Sequence, residues 1–89
     1  MTTHTTHTDI IKRLKRAEGH LRSIIAMIET DRDCVDVAQQ LQAVESAVAN
    51  AKRVLVQDHI DHCLTEAVRE GVKSPEDTLR EFKAITKYL

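Results

Sequence analysis

From Cys34 to Glu70 the chain runs for 37 residues without a glycine or a proline. Over that run apolar or small residues recur at Val35, Ala38, Leu41, Val44, Val48, Ala51 and Leu55, in steps of three and four. That spacing puts them on one face of an α-helix. A single helix over 34–70 measures about 55 Å at 1.5 Å per residue. Whatever else an 89-residue chain builds must pack against this helix or leave it bare.

Two glycines, one proline, one tyrosine and one phenylalanine leave little material for turns or sheet, so an all-α fold is expected. Ahead of the long helix, Ile10, Leu14, Ala17, Leu21, Ile24 and Ile28 predict an amphipathic helix over 9–29, with Thr8 as N-cap and Asp9 suiting the helix dipole. Residues 1–8 are polar and Thr-rich, carry His4 and His7, and read as a flexible arm before one helical domain over 9–89. Gly19 costs roughly 1 kcal/mol inside a helix, and the close approach of a neighbouring helix is the expected compensation. Thr30-Asp31-Arg32-Asp33 is a short polar connection. Gly71 is placed to stop the long helix, and Ser74-Pro75-Glu76-Asp77 is a strong start signal for a third, over 75–88, with a stripe of Leu79, Phe82, Ile85 and Leu89.

The first helix spans about 30 Å, so the long one overhangs it. The overhang is apolar at Val54, Leu55, Ile60, Leu64, Ala67 and Val68. A short third helix folding back covers part of it, and a second subunit is expected to cover the rest. A chain of this size is also near the limit at which a single core is only modestly stable, and oligomerisation remedies that.

No run of about twenty apolar residues and no basic-then-apolar amino terminus is present, so a cytoplasmic location with no membrane span is expected. Two cysteines in that setting are expected to be thiols open to metal or redox chemistry. The net charge of −1 hides a division: residues 9–29 carry five basic and three acidic side chains, whereas 31–70 carry four basic and eight acidic. A monomer of this net charge is a poor match for nucleic acid, but Lys12, Arg13, Lys15 and Arg16 form a dense basic cluster, and the clustering matters more than the sum.

Chemistry concentrates in Asp58-His59-Ile60-Asp61-His62-Cys63. His59 and Cys63, four apart on one helix, share a face and can hold one metal ion. Cys34 is the only other cysteine. If the helix is continuous, Cys34 lies about 37 Å from His59, beyond the reach of any side chain. An antiparallel pair of long helices resolves this, because each Cys34 then meets His59 and Cys63 of the partner and twofold symmetry makes two equal sites. Two thiolates and an imidazole suit Cu(I), while Zn(II) would want a fourth ligand and square-planar Ni(II) a fourth nitrogen or oxygen donor, which His4 or His7 could supply; His62, at i+3 from His59, is a further candidate ligand. His20 reads as a structural or surface residue, and Asp33, Asp58 and Asp61 as solvated. No grouping of nucleophile, base and orienter is evident, and an enzyme is not expected.

Arg16-Ala17-Glu18-Gly19-His20-Leu21-Arg22, Asp33-Cys34, Gln39-Gln40-Leu41-Gln42-Ala43-Val44 and His59-x-x-x-Cys63 together resemble the CsoR/RcnR family of bacterial metal-sensing repressors over nearly the whole chain. The resemblance implies a three-helix subunit, an antiparallel four-helix core in the dimer, and a flat tetramer made of two dimers. It further implies a repressor that binds operator DNA in the apo form and releases it on binding metal, with no enzymatic activity. Within the family, Cys34, His59 and Cys63 match the copper sensors. Nickel and cobalt sensors are similar and add an amino-terminal histidine, near which His4 and His7 fall. Persulfide-sensing members keep both cysteines and lack the histidine, and the formaldehyde-sensing branch needs an amino-terminal proline where this chain has Thr2.

Two departures from the family pattern stand out. Many members carry an arginine soon after Ala-Val in the second helix, whereas this chain has Glu45 and places Lys52 and Arg53 further on, which implies a shifted DNA-contact surface. Copper sensors commonly carry a tyrosine before the first cysteine, and here it is Asp33. A tetramer would present the patch of Lys12, Arg13, Lys15 and Arg16 four times, giving a multivalent and strongly salt-dependent grip on phosphates.

Overall fold

The computed structural model describes residues 5–67, 69 and 74–89, and among them it contains three helices and no strand: α1 (Thr5–Glu29), α2 (Cys34–Ala67) and α3 (Pro75–Thr86). The all-α expectation holds. The chain divides into two compact units, Met1–Lys52 and Arg53–Leu89, with α2 contributing to both.

In the first unit, α1 and the opening turns of α2 pack as a hairpin around Ile24, Val37 and Val44, with Met27 against them. The buried positions keep a seven-residue repeat: Ile10, Ala17 and Ile24 on α1, and Val37, Val44 and Ala51 on α2. A second seven-residue series, Leu14, Leu21 and Ile28 on α1 and Leu41 and Val48 on α2, is more than 40% exposed throughout. The expected packing stripe is thus corrected into two seams. A 3,4 repeat supplies two apolar rows, and one partner helix covers only one of them. Val37 accordingly takes the buried place, while Val35 is 63% exposed.

The turn between α1 and α2 explains where α1 stops. The Arg32 amide donates to the Met27 carbonyl at 2.9 Å and the Asp31 amide to that of Ile28 at 3.2 Å, a Schellman closure. Asp31 occupies its left-handed position with φ 56°, one of the few non-glycine residue types that tolerate it. The Thr30 hydroxyl donates to the Ala26 carbonyl at 2.8 Å, and the Val37 amide to that of Asp33 at 3.1 Å, which opens α2.

Three local expectations change. α1 begins at Thr5, so residues 5–8 of the expected arm are helical and Thr8 is not the N-cap. No Gly or Pro stands there to stop the helix, and threonine costs it well under 1 kcal/mol per residue. Residues 1–4, with His4, lie outside the described residues, as does the expected stop at Gly71. At Gly19, a Cβ would meet nothing within 4 Å, so no neighbouring element of the chain explains the glycine.

In the second unit, α3 starts as its sequence signal requires. Ser74 is extended (φ −70°, ψ 153°), its hydroxyl accepts from the Asp77 amide at 3.1 Å, and Pro75 opens the helix. The helix ends at Thr86, and the next amides tighten into single turns, Tyr88 to the Ile85 carbonyl and Leu89 to that of Thr86. Val56 and Cys63 of α2 are buried at 2% and 1% exposure. No α3 residue is fully buried: Phe82 and Ile85 are half-buried and Leu79 is exposed.

Candidate functional site

His59 and Cys63 lie one helical turn apart on α2 in the second unit, and α3 brings Glu81 against them. One ligating atom from each of the three lies within 4.8 Å of those of the other two. The Cys63 thiol donates weakly to Glu81 Oε2 across 3.8 Å. His59 and Glu81 are half-buried and Cys63 is buried. Among the described residues the cluster is a ready set for a metal ion: imidazole nitrogen, thiol sulfur and carboxylate oxygen are each established metal ligands. The residues present therefore fit a metal on the chemistry of their donor atoms.

Glu81 was not among the candidates read from the sequence. It stands 18 residues beyond Cys63 and no helical spacing ties them together. The available signal was its place next to Phe82, on the side of α3 that folds back on α2. Of the other histidine candidates, His62 is half-buried and outside the cluster. His7 is on the exposed side of α1, in the first unit, and His4 lies outside the described residues. Cys34 is the first residue of α2 and is exposed, and neither cysteine takes part in a disulfide. Asp58 is half-buried, which corrects its reading as a solvated residue, whereas Asp33 and Asp61 are exposed.

A second feature lies in the first unit. Arg13, Arg16, Ala17 and His20 of α1 and Ala47 and Asn50 of α2 line an open pocket of about 240 Å³. Ala17 and Ala47 make room for it, and the guanidinium groups give it positive character. His20 Nε2 lies 2.6 Å from Gln40 Oε1 and ties α1 to α2, so His20 is a structural residue of the hairpin. Lys12 and Lys15 are exposed but do not line the pocket, which divides the four-residue basic cluster into two pairs. Arg13 Nε also donates to Asp9 Oδ2 at 2.8 Å. That bond chiefly holds the Asp9 carboxyl below its usual range, with the charges of Arg13, Arg16 and Lys12 adding to it. Lys52, Arg53 and Glu45 are all exposed on α2.

Residues 6–88 match the model of a family described as metal-sensitive transcriptional repressor. This chain belongs to that family. Among its curated relatives are the copper-sensing transcriptional repressor CsoR of Bacillus subtilis (strain 168), 41% identical over 80 residues, covering 88% of this chain and 79% of the relative. The copper-sensing transcriptional repressor RicR of Mycobacterium tuberculosis is 44% identical over 73 residues, covering 82% of this chain and 76% of the relative. Two solved structures share the fold. The nickel-responsive transcriptional regulator InrS superposes with a TM-score of 0.83 at 31% identity, over 100% of this chain and 99% of the other. The copper-sensing repressor CsoR with Cu(I) from Geobacillus thermodenitrificans NG80-2 gives 0.79 at 37% identity, over 98% and 91%. No helix among the described residues is long and apolar enough to cross a membrane.

Proposed function

We propose that this metal-sensitive repressor responds to Cu(I), binding operator DNA without metal and releasing it when Cu(I) is held by His59 and Cys63 of one chain and Cys34 of a second. One observation carries the reading: His59 and the buried Cys63 meet in one cluster on α2, while Cys34, the remaining thiol, stands exposed at the first residue of the same uninterrupted helix. An exposed thiol at a helix end is available to a second copy. Cu(I) takes soft, low-coordinate donor sets, and two thiolates with an imidazole match it. The curated relatives named as copper sensors support the choice of metal.

The repressor works in the cytoplasm as a single helical domain, assembled into an antiparallel dimer and then a dimer of dimers. The exposed apolar seam of Leu14, Leu21, Leu41 and Val48 supports assembly, since each would gain burial against a second copy. The DNA surface comprises Lys12, Arg13, Lys15 and Arg16 on α1 with Lys52 and Arg53 on α2. Cys34 follows directly on the turn that ends α1, so a pull on Cys34 towards a partner acts on α1 and its basic residues. Coupling of this kind is reciprocal, and operator DNA weakens metal binding by the factor by which metal weakens DNA binding.

Anaerobic titration of the reduced protein with Cu(I) and with Ni(II), read by release of the promoter upstream of its own gene, tests the proposal. Release by Cu(I) at stoichiometric metal is expected. Identical metal affinity with and without operator DNA would remove the coupling mechanism. A Ni(II)- or Co(II)-responsive repressor is the second reading, favoured by the likeness to the nickel-responsive InrS and by His7 on α1. A thiol- or persulfide-sensing repressor using Cys34 and Cys63 is the third, and intact-mass analysis after persulfide treatment separates it from both.

A further inference from the structure

We infer that His59, Cys63 and Glu81 form a divalent-metal site complete within one chain, with Glu81 a direct ligand of M(II) and no ligand of Cu(I). The inference deepens the metal site proposed above and rests on that reading for its Cu(I) half.

Geometry is the first support. Ligands of a tetrahedral zinc-like ion, at about 2.0–2.3 Å from the metal, stand roughly 3.3–3.8 Å from one another. The Cys63 sulfur and Glu81 Oε2 are already 3.8 Å apart, and all three donor atoms lie within 4.8 Å of one another. Closing the remaining gap needs about 1 Å of travel, which side-chain rotation among the three residues supplies. The fourth position is then open to water or a further donor.

Charge and ligand hardness are the second support. A thiolate and a carboxylate together cancel the charge of a divalent ion, so the ion is taken into a half-buried place with no net charge left over. Carboxylate oxygen suits divalent ions and is a poor match for Cu(I), which selects thiolate and imidazole. The same two residues of α2 therefore serve two metal classes. Cu(I) completes its set with a second thiolate, and M(II) completes its set with Glu81 from α3. An M(II) ion satisfied inside one chain makes no demand on Cys34, so it occupies the site without the linkage that releases DNA.

The test is anaerobic titration of the reduced full-length protein with Co(II), followed through its thiolate-to-cobalt charge-transfer and d–d absorption, beside a Cu(I) competition titration. Glu81→Gln is expected to lose at least about tenfold in Co(II) affinity while holding Cu(I) as the parent does. Cys34→Ala is expected to keep the Co(II) charge-transfer band. Glu81→His, which restores a donor atom, is expected to recover Co(II) binding with an altered d–d spectrum. Circular dichroism and elution volume confirm that each variant folds and assembles as the parent does. Unchanged Co(II) affinity and spectrum in Glu81→Gln overturns the inference. Equal losses of Co(II) and Cu(I) in that variant also overturn it, because they place Glu81 outside the ligand shell. Loss of the Co(II) band in Cys34→Ala overturns it by assigning Co(II) to the cross-subunit set. Full Cu(I) affinity in Cys34→Ala removes the Cu(I) reading alone, and the Co(II) result is judged separately from it.

Discussion

His20 Nε2 and Gln40 Oε1 meet at 2.6 Å and form a side-chain hydrogen bond that joins α1 to α2 in the first unit. His20 also lines the basic pocket, so the same residue serves the packing of the hairpin and the floor of a surface that carries two arginines. Removing either partner leaves the other half-buried without its bond. Gln40→Ala is expected to cost about 1 kcal/mol, measured by urea unfolding at one fixed protein concentration. A double-mutant cycle with His20→Ala should return a coupling of about 0.5–1.5 kcal/mol, and a coupling of zero would show that the bond contributes nothing.

The metal-ligand assignment predicts that Cys34→Ala, His59→Ala and Cys63→Ser each abolish Cu(I)-induced release of promoter DNA. Apo binding should persist, measured by fluorescence anisotropy. Serine is chosen at Cys63 because that position is 1% exposed and truncation would leave a cavity. Full metal response in all three variants would refute the site.

The exposed apolar seam should hold subunits together. Leu41 and Val48 are 45% and 43% exposed in the single chain. Val48→Lys is expected to shift the assembly to a smaller species by light scattering, because a charge on a coiled-coil seam opposes its burial. An unchanged mass would place the subunit contact elsewhere.

Arg16 lines the basic pocket and Asp9 holds the Arg13 side chain. Arg16→Ala should weaken operator binding across sequences and lower the salt slope by about 1. Asp9→Asn should do the opposite, strengthening binding by releasing Arg13 and removing a negative charge from the patch. The Asp9 carboxyl is held below its ordinary value. Its favourable contact with Arg13 is therefore in place above the ordinary carboxylate range and is lost as pH falls through the lowered value.

Gly19 has open space where a Cβ would sit. Gly19→Ala is expected to stabilise the helix by up to about 1 kcal/mol, seen as a raised melting temperature. A lowered one would mean that another subunit packs on the glycine.

Much of this molecule was legible before any fold was known. The uninterrupted run from Cys34, the Ser74-Pro75 start signal and the i,i+4 relation of His59 and Cys63 are local properties, and local geometry decides them. α1 starts ahead of its apolar pattern because threonines only mildly disfavour a helix, and nothing at residues 5–8 stops one. The choice of Val37 over Val35 for the core was hidden because a 3,4 repeat contains two seams, and their hydrophobicity alone does not rank them.

Sequence by itself determined the all-α class, the helix that carries the site, and two of its three clustered donors, because these follow from backbone propensity and helical periodicity. Only the tertiary structure decided that Glu81 joins His59 and Cys63, that Arg13 and Arg16 rather than Lys12 and Lys15 share a pocket with α2, and which apolar seam stays bare. Each of these depends on where one helix lands on another. That outcome is set by the packing of side chains far apart in the chain, which no local pattern encodes.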